Sequence, residues 1–206
     1  MGRVFSGDTL VIASHNCGKV AEIGSLLGDL VATFPSSADF GLAEPEETGN
    51  TFAENAALKA RYTALHTDLP ALADDSGLSV AALEGAPGIY SARWAVRPDG
   101  QRDFTFAMGR VERCLIDRGL QDARAAFVCA LSLAWPDGHV ETVEGRVDGI
   151  LVFPARGTRG FGYDPIFLPD GHDRTFGEMT PDEKHAISHR ADAFARLRQY
   201  CFAVAG

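Results

Sequence analysis

Asp74 and Asp75 stand side by side after the apolar run Leu69–Ala73, and Ser76 and Gly77 follow before apolar character resumes at Leu78. Adjacent side chains on a strand point to opposite faces, so the two carboxylates need not share a task. A carboxylate facing a pocket can take a divalent cation or deprotonate a water, its own charge offset by the ion. The bland alternative is a turn that ends the strand, with Asp and Ser accepting from backbone N–H groups. Carboxylates between two apolar segments are costlier than turn chemistry requires, which favours a functional role.

Four other stretches carry residue types of the same kind. In "SHNCGK" (Ser14, His15, Asn16, Cys17, Gly18, Lys19) the spacing invites comparison with a Walker A loop and fails it, because Ala13 replaces the first glycine and Val20 the hydroxyl. What survives can cradle a phosphate on backbone donors with Lys19 as a point charge; it fits an ordinary helix start with a solvated lysine equally well. In "EETGNTFAENAALKA" Glu46 and Glu47 precede a turn at Gly49, and Asn55 and Lys59 fall one helical turn apart. Those carboxylates suit a hard divalent ion, and Asn55 with Lys59 can reach phosphate oxygens. Taken alone, the stretch is better read as an acidic loop and a solvated helix face.

In "GFGYDPIF", Gly160 and Gly162 flank Phe161 and let backbone and ring approach a planar ligand; stacking a base on Phe161 is worth about 1–3 kcal/mol. A glycine-rich turn anchoring core aromatics explains the same residues. In "EKHAISHR", His185 and His189 have the i, i+4 spacing of a zinc pair, but no Glu follows His185 and no third ligand is evident. The alternative is that Lys184, His189 and Arg190 supply donors to an anion or a carbonyl. Taken together, two lysines, a carboxylate group, an aromatic platform and late donors suit a nucleoside triphosphate with Mg²⁺.

The elements that must position these residues alternate. Thr9–Ser14 reads as a buried strand, followed by a helix with Asn16 as N-cap and Val20, Ile23, Leu26 and Leu27 on one face. Thr51 with Glu54 forms a capping box for an alanine-rich helix, and the strand of "LPALADDS" follows. Phe104, Ala107, Met108, Val111 and Leu115 share a helical face closed by Gly119, and Pro136-Asp137-Gly138 turns a hairpin between two strands. Thr180 and Glu183 open one last helix, with Pro181 at its first position. The pattern predicts an α/β fold with a mixed sheet and no internal repeat.

Bulk properties narrow the partners. The 206 residues are 46% hydrophobic and 23% charged, enough for a sizeable core and wrong for disorder. A net charge of -9 argues against nucleic-acid binding through phosphates, but leaves room for a small anion met by local cations or a metal. Cys17, Cys114, Cys129 and Cys201 lie far apart without a C-x-x-C pair, as free thiols of a reducing compartment do. No apolar run reaches membrane-spanning length and no leader pattern opens the sequence, so a cytoplasmic protein is expected.

In order along the chain, "SHNCGKVAEI", "EETGNTFAENAALKAR", "ADDSGLSVAALEGAPGIYSARWA", "GFGYDPIF" and "TPDEKHAISHR" resemble the motifs of the inosine triphosphate pyrophosphatase family. The match runs from about Ser14 to Arg190. The resemblance implies a single elongated α/β domain, residues 1–206, with a central mixed β-sheet flanked by helices, two lobes and a cleft, forming a homodimer. It implies Mg²⁺-dependent hydrolysis of ITP, dITP, XTP and dXTP to the monophosphate and pyrophosphate. By the same resemblance Ser14 to Lys19 and Lys59 would hold the triphosphate, and Glu47 and Asp75 the metal. Asp75 would also activate water, and Ser76 would touch substrate. Phe161, Gly162, Tyr163 and Asp164 would enclose the base, with Lys184, His189 and Arg190 completing the nucleotide site. His15 departs from the family pattern, which has Gly there. Two competing functions are a pyrophosphatase preferring modified pyrimidine or ordinary triphosphates, and a nucleotide-binding regulator without catalysis.

Overall fold

The computed structural model, which describes residues 2–119 and 123–202, is an α/β fold on five strands: β1 Val11–Ile12, β2 Ala71–Val80, β3 Arg124–Ala134, β4 Val140–Leu151 and β5 Phe167–Pro169. The helices are α1 Cys17–Leu27, α2 Phe52–Thr67, α3 Ser91–Trp94, α4 Phe104–Asp117, α5 Pro181–Ile187 and α6 His189–Cys201. The strands pair in sequence order. β1 runs parallel to β2, with Val11 opposite Ala71, and β4 runs antiparallel to β5, with Ile150 opposite Leu168. The sheet is therefore mixed, as the alternation of elements predicts.

The chain divides into two compact units. The first holds the chain up to Asp75, Cys129–Gly145 and the chain from Arg190 onward; the second holds Ser76–Val128 and Arg146–His189. Each has its own apolar core. In the first, Leu10, Ile12 of β1, Ile23 and Leu27 of α1, Leu131 and Leu133 of β3 and Phe194 and Leu197 of α6 pack together. Val11, Ala13, Ala60, Ala64, Ala71 and Ala73 form a smaller cluster where α2 meets β1 and β2. Alanine on both sides brings this helix close to β2, the strand that carries the acidic residues. In the second unit, Val111 and Leu115 of α4 pack with Phe127, Tyr163, Phe167 and Phe176.

Local signals read from sequence are met at several ends. Asn16 caps α1, and Thr180 with Glu183 forms a reciprocal capping box at α5; at α4 the structure adds a cap not read from the sequence, Asp103. The turn at Pro136–Gly138 closes as a hairpin, Gly138 N–H donating to Trp135 O at 2.9 Å. Other details differ. β1 is only two residues long; Thr9 before it bridges in parallel to Thr33, and its own Ile12 bridges to Ser36. At α2, Thr51 accepts from Glu54 N–H, but the Glu54 carboxylate turns to the N–H of Asn50 rather than completing the box at Thr51.

Two larger expectations are corrected. β2 runs past the expected strand end at Ser76, continuing from Asp74-Asp75-Ser76 through Gly77 to Val80. Gly77 is there for space, not for a turn: a Cβ at this position would collide with Ser91 Oγ and the Gly88 carbonyl. That hydroxyl accepts from Leu78 N–H at 3.0 Å and donates to Gly88 O at 2.6 Å, fixing the strand just past the carboxylates. The final helix is also two helices, broken at Ser188, whose backbone is extended (φ -75°, ψ 154°). Serine suits the position just before a helix start, where α6 begins. His185 and His189 consequently sit on different helices. Among the described residues no helix is long and apolar enough to cross a membrane. All four cysteines are free thiols, with Cys17 exposed, Cys114 half-buried and Cys129 and Cys201 buried.

Candidate active site

In the first unit α2 and β2 present their polar side chains to one another. Lys59, 9% exposed, donates from Nζ to Glu47 Oε1 at 2.7 Å and to Asp75 Oδ1 at 3.0 Å. One turn earlier on α2, Asn55 donates from Nδ2 to Asp75 Oδ2 at 3.3 Å and accepts the Gly49 N–H at 2.8 Å. Asn55 thus faces the carboxylate and the acidic loop, not open space for a phosphate. Burial pushes the Asp75 carboxyl above its ordinary value; Lys59 and Lys19 oppose this, and Glu47 adds to it. Burial also works against the Lys59 ammonium, but Asp75 and Glu47 outweigh it and raise the lysine.

Asp74, on the other face of β2, is fully buried and differently supplied. Its Oδ1 pairs with Lys19 Nζ, and its Oδ2 accepts from Arg190 Nε at 2.9 Å and from the Cys129 thiol at 3.0 Å. Arg190, 1% exposed, is also paired through Nη1 with Glu22 of α1. Burial alone would raise Asp74, yet Arg190 and Lys19 hold it well below the usual carboxylate range. The Cys129 thiol is pushed well up by burial and by the anion beside it. A thiol in that state is a hydrogen-bond donor rather than a nucleophile.

The Ser14–Lys19 segment is knitted locally. Ser14 Oγ accepts from Asn16 N–H at 3.1 Å, and Asn16 Oδ1 accepts from Gly18 and Lys19 N–H at 3.0 and 3.2 Å. Two of the N–H groups at the helix start therefore answer the Asn16 cap. His15 turns its ring to the Leu42 carbonyl, 2.8 Å from Nε2, and its backbone N–H to Glu44. The His15 imidazole is thereby tied to the Leu42–Glu44 segment.

The remaining residues singled out in the sequence belong to the second unit, where Phe161, Asp164 and Lys184 form a group of their own. Asp164 Oδ2 accepts from Phe161 N–H at 2.8 Å and from Lys184 Nζ at 2.7 Å, and both charged residues are buried. The same ammonium lies 4.6 Å from the Phe161 ring centroid, so carboxylate, cation and ring face share one place. Gly162, at φ +70°, makes the turn between Phe161 and Tyr163. Tyr163 itself is core: its hydroxyl donates to Ser91 O at 2.9 Å and its ring meets Phe104 edge-on at 5.6 Å. Burial raises its phenol accordingly. His189 stacks on Phe127 at 4.9 Å. Ser76 is half-buried next to Asp75 in sequence.

Among the described residues no group of three or more His, Cys, Asp or Glu is arranged to hold a metal, which gives the zinc alternative no support. A magnesium ion asks for less. It takes one or two carboxylates and keeps waters or phosphate oxygens for the rest. Glu47 and Asp75 already converge on a single cationic nitrogen, Lys59 Nζ, and so fit that requirement. Sequence reasoning left Glu22 and Cys129 unnoticed as polar partners and assigned Asp74 none. Glu22 had a faint signal, lying one turn from Lys19 on α1; a buried cysteine in a strand has none.

Comparison with known proteins places this geometry in context. The model of the Ham1 family matches residues 10–200. A dITP/XTP pyrophosphatase of Rhodospirillum centenum is 63% identical over 98% of both chains, and one of Caulobacter vibrioides is 57% identical over 95% of this chain and 99% of its own. Among solved structures, a HAM1 protein from Coxiella burnetii superposes with a TM-score of 0.85 at 41% identity, covering 93% of this chain and 96% of that one. The Ham1 protein of Staphylococcus aureus gives 0.81 at 36% identity, covering 93% and 97%.

Proposed function

This chain belongs to the Ham1 family, and on that premise we propose that it hydrolyses non-canonical purine nucleoside triphosphates (ITP, dITP, XTP and dXTP) to the monophosphate and pyrophosphate. The observation that carries the chemistry is the convergence of Glu47 and Asp75 on Lys59 Nζ. Glu47 and Asp75 would hold Mg²⁺, which when bound supplies positive charge to the triphosphate and to the leaving pyrophosphate.

The chain's own residues carry the rest. Asp75 orients the attacking water and takes its proton on a carboxylate oxygen. The water oxygen bonds to the α-phosphorus as the α–β bridging P–O bond breaks, and pyrophosphate departs with that electron pair. Lys19 and Lys59 meet the charge that spreads over the phosphate oxygens. Lys19 reaches this task from its pairing with Asp74, and Arg190 holds that carboxylate in turn.

In the second unit, Phe161 offers a ring face for a base, with the Lys184–Asp164 pair beside it. Protein donors meet the 6-keto oxygen of hypoxanthine or xanthine, whereas the 6-amino group of adenine is itself a donor and meets them badly. The test is to assay ITP, XTP, GTP, ATP and dUTP with Mg²⁺ and identify the products. Pyrophosphate with the monophosphate, faster from ITP and XTP than from ATP, is the expected result. Orthophosphate release would refute the bond assignment, and equal rates on ATP would refute the base selection.

A further inference from the structure

Asn55 is a buried side chain with both ends engaged by parts of the chain that carry proposed metal ligands. Its Oδ1 accepts the Gly49 N–H at 2.8 Å, two residues after Glu47. A backbone N–H can only donate, so this contact fixes the amide's orientation and directs Nδ2 at the Asp75 carboxylate, which can only accept. The Nδ2–Oδ2 distance is 3.3 Å, and Asn55 is 1% exposed. Backbone packing closes the same joint: a Cβ on Gly49 would lie 2.7 Å from both Asn55 Oδ1 and Glu54 Cβ. The acidic loop therefore sits directly on the start of α2.

Lys59 also connects Glu47 with Asp75, but as a cation. A positive charge between two carboxylates competes with a metal ion for them, whereas a neutral amide does not. The bond from Asn55 also lies on Oδ2 of Asp75 and that from Lys59 on Oδ1, so the two donors constrain the carboxylate separately.

We propose that Asn55 is a positioning residue that ties the Glu47 loop to Asp75 and sets the spacing of the two carboxylates for a divalent cation. The inference rests on the reading of Glu47 and Asp75 as metal ligands. Outer partners of metal ligands commonly change affinity by about 10–100-fold when removed, and a loss of that size is expected here.

The experiment measures Mn²⁺ bound by the full chain, by electron paramagnetic resonance, in the presence of a non-hydrolysable α,β-methylene analogue of ITP. Thermal melts run in parallel to confirm that each variant is folded. Asn55→Ala and Gly49→Ala should each bind Mn²⁺ about 10-fold or more weakly while folded. The second variant reaches the joint from the loop side and stands in if Asn55→Ala does not fold. Glu47→Gln is the control. If Glu47→Gln loses Mn²⁺ while the folded Asn55 and Gly49 variants bind it like the parent, Asn55 has no positioning role and the metal ligands stand. If Glu47→Gln binds like the parent, or the parent binds none, the metal assignment itself fails and the inference goes with it.

Discussion

On one face of β2 the Asp74 carboxylate meets Lys19, Arg190 and a thiol; on the other, one residue along, Asp75 meets a single lysine and an amide. Both are buried, yet their proton affinities move in opposite directions, Asp74 down and Asp75 up. Burial is the largest influence on each. What separates them is the supply of cation: Asp74 has two in direct contact, while Asp75 shares Lys59 with the competing carboxylate of Glu47. A fully neutralised carboxylate makes a strut, and an under-neutralised one retains the capacity to take a proton or a metal. The alternation of a strand lets one dipeptide do both.

That contrast can be broken from either side. Asp75→Asn should lower turnover by about 10²–10⁴-fold, the usual contribution of a general base. Its melting temperature should stay close to the parent's, because Lys59 keeps Glu47 as a partner. Steady-state assay beside a thermal melt checks both, and an active Asp75→Asn protein would remove Asp75 from the role of base.

Asp74→Asn should show the reverse balance, losing stability first. Removing one partner of a buried pair costs about 3–5 kcal/mol. Here the low end is expected, because Glu22 still answers Arg190. Urea unfolding measures it, and a stability equal to the parent's would end the description of Asp74 as a strut. Cys129→Ala is the smallest of the three, about 1 kcal/mol for a lost hydrogen bond in the same unfolding experiment. Cys129→Ser keeps a donor and should recover most of the difference; if serine is no better than alanine, the thiol contributes packing alone.

The division between what was legible in the sequence and what was not follows the range of the interactions. The caps at Asn16, Thr180 and Glu183 are made within three residues, so the local window contains both partners. The family motifs likewise mark Glu47, Lys59 and Asp75 in order. Asp74-Asp75-Ser76-Gly77 leaves a turn open as an alternative because its composition is that of a turn. The partner that stabilises Asp74 within a strand, Arg190, comes 116 residues later, and the contact that demands Gly77 comes from Ser91 and Gly88. Asn55 shows an intermediate case. Its place on α2 beside Lys59 is readable from helical spacing, but the direction of its amide depends on the path of the loop at Gly49.

The exposures of the four cysteines have a practical consequence. Cys17, the first residue of α1, is the exposed one; Cys129 and Cys201 are buried and Cys114 is half-buried. A maleimide dye offered briefly to the native protein will therefore attach first at position 17, two residues before Lys19, which the proposed function sets against the phosphates. Under that proposal the chain carries its own attachment point for a fluorescent reporter of nucleotide arrival, with no residue replaced.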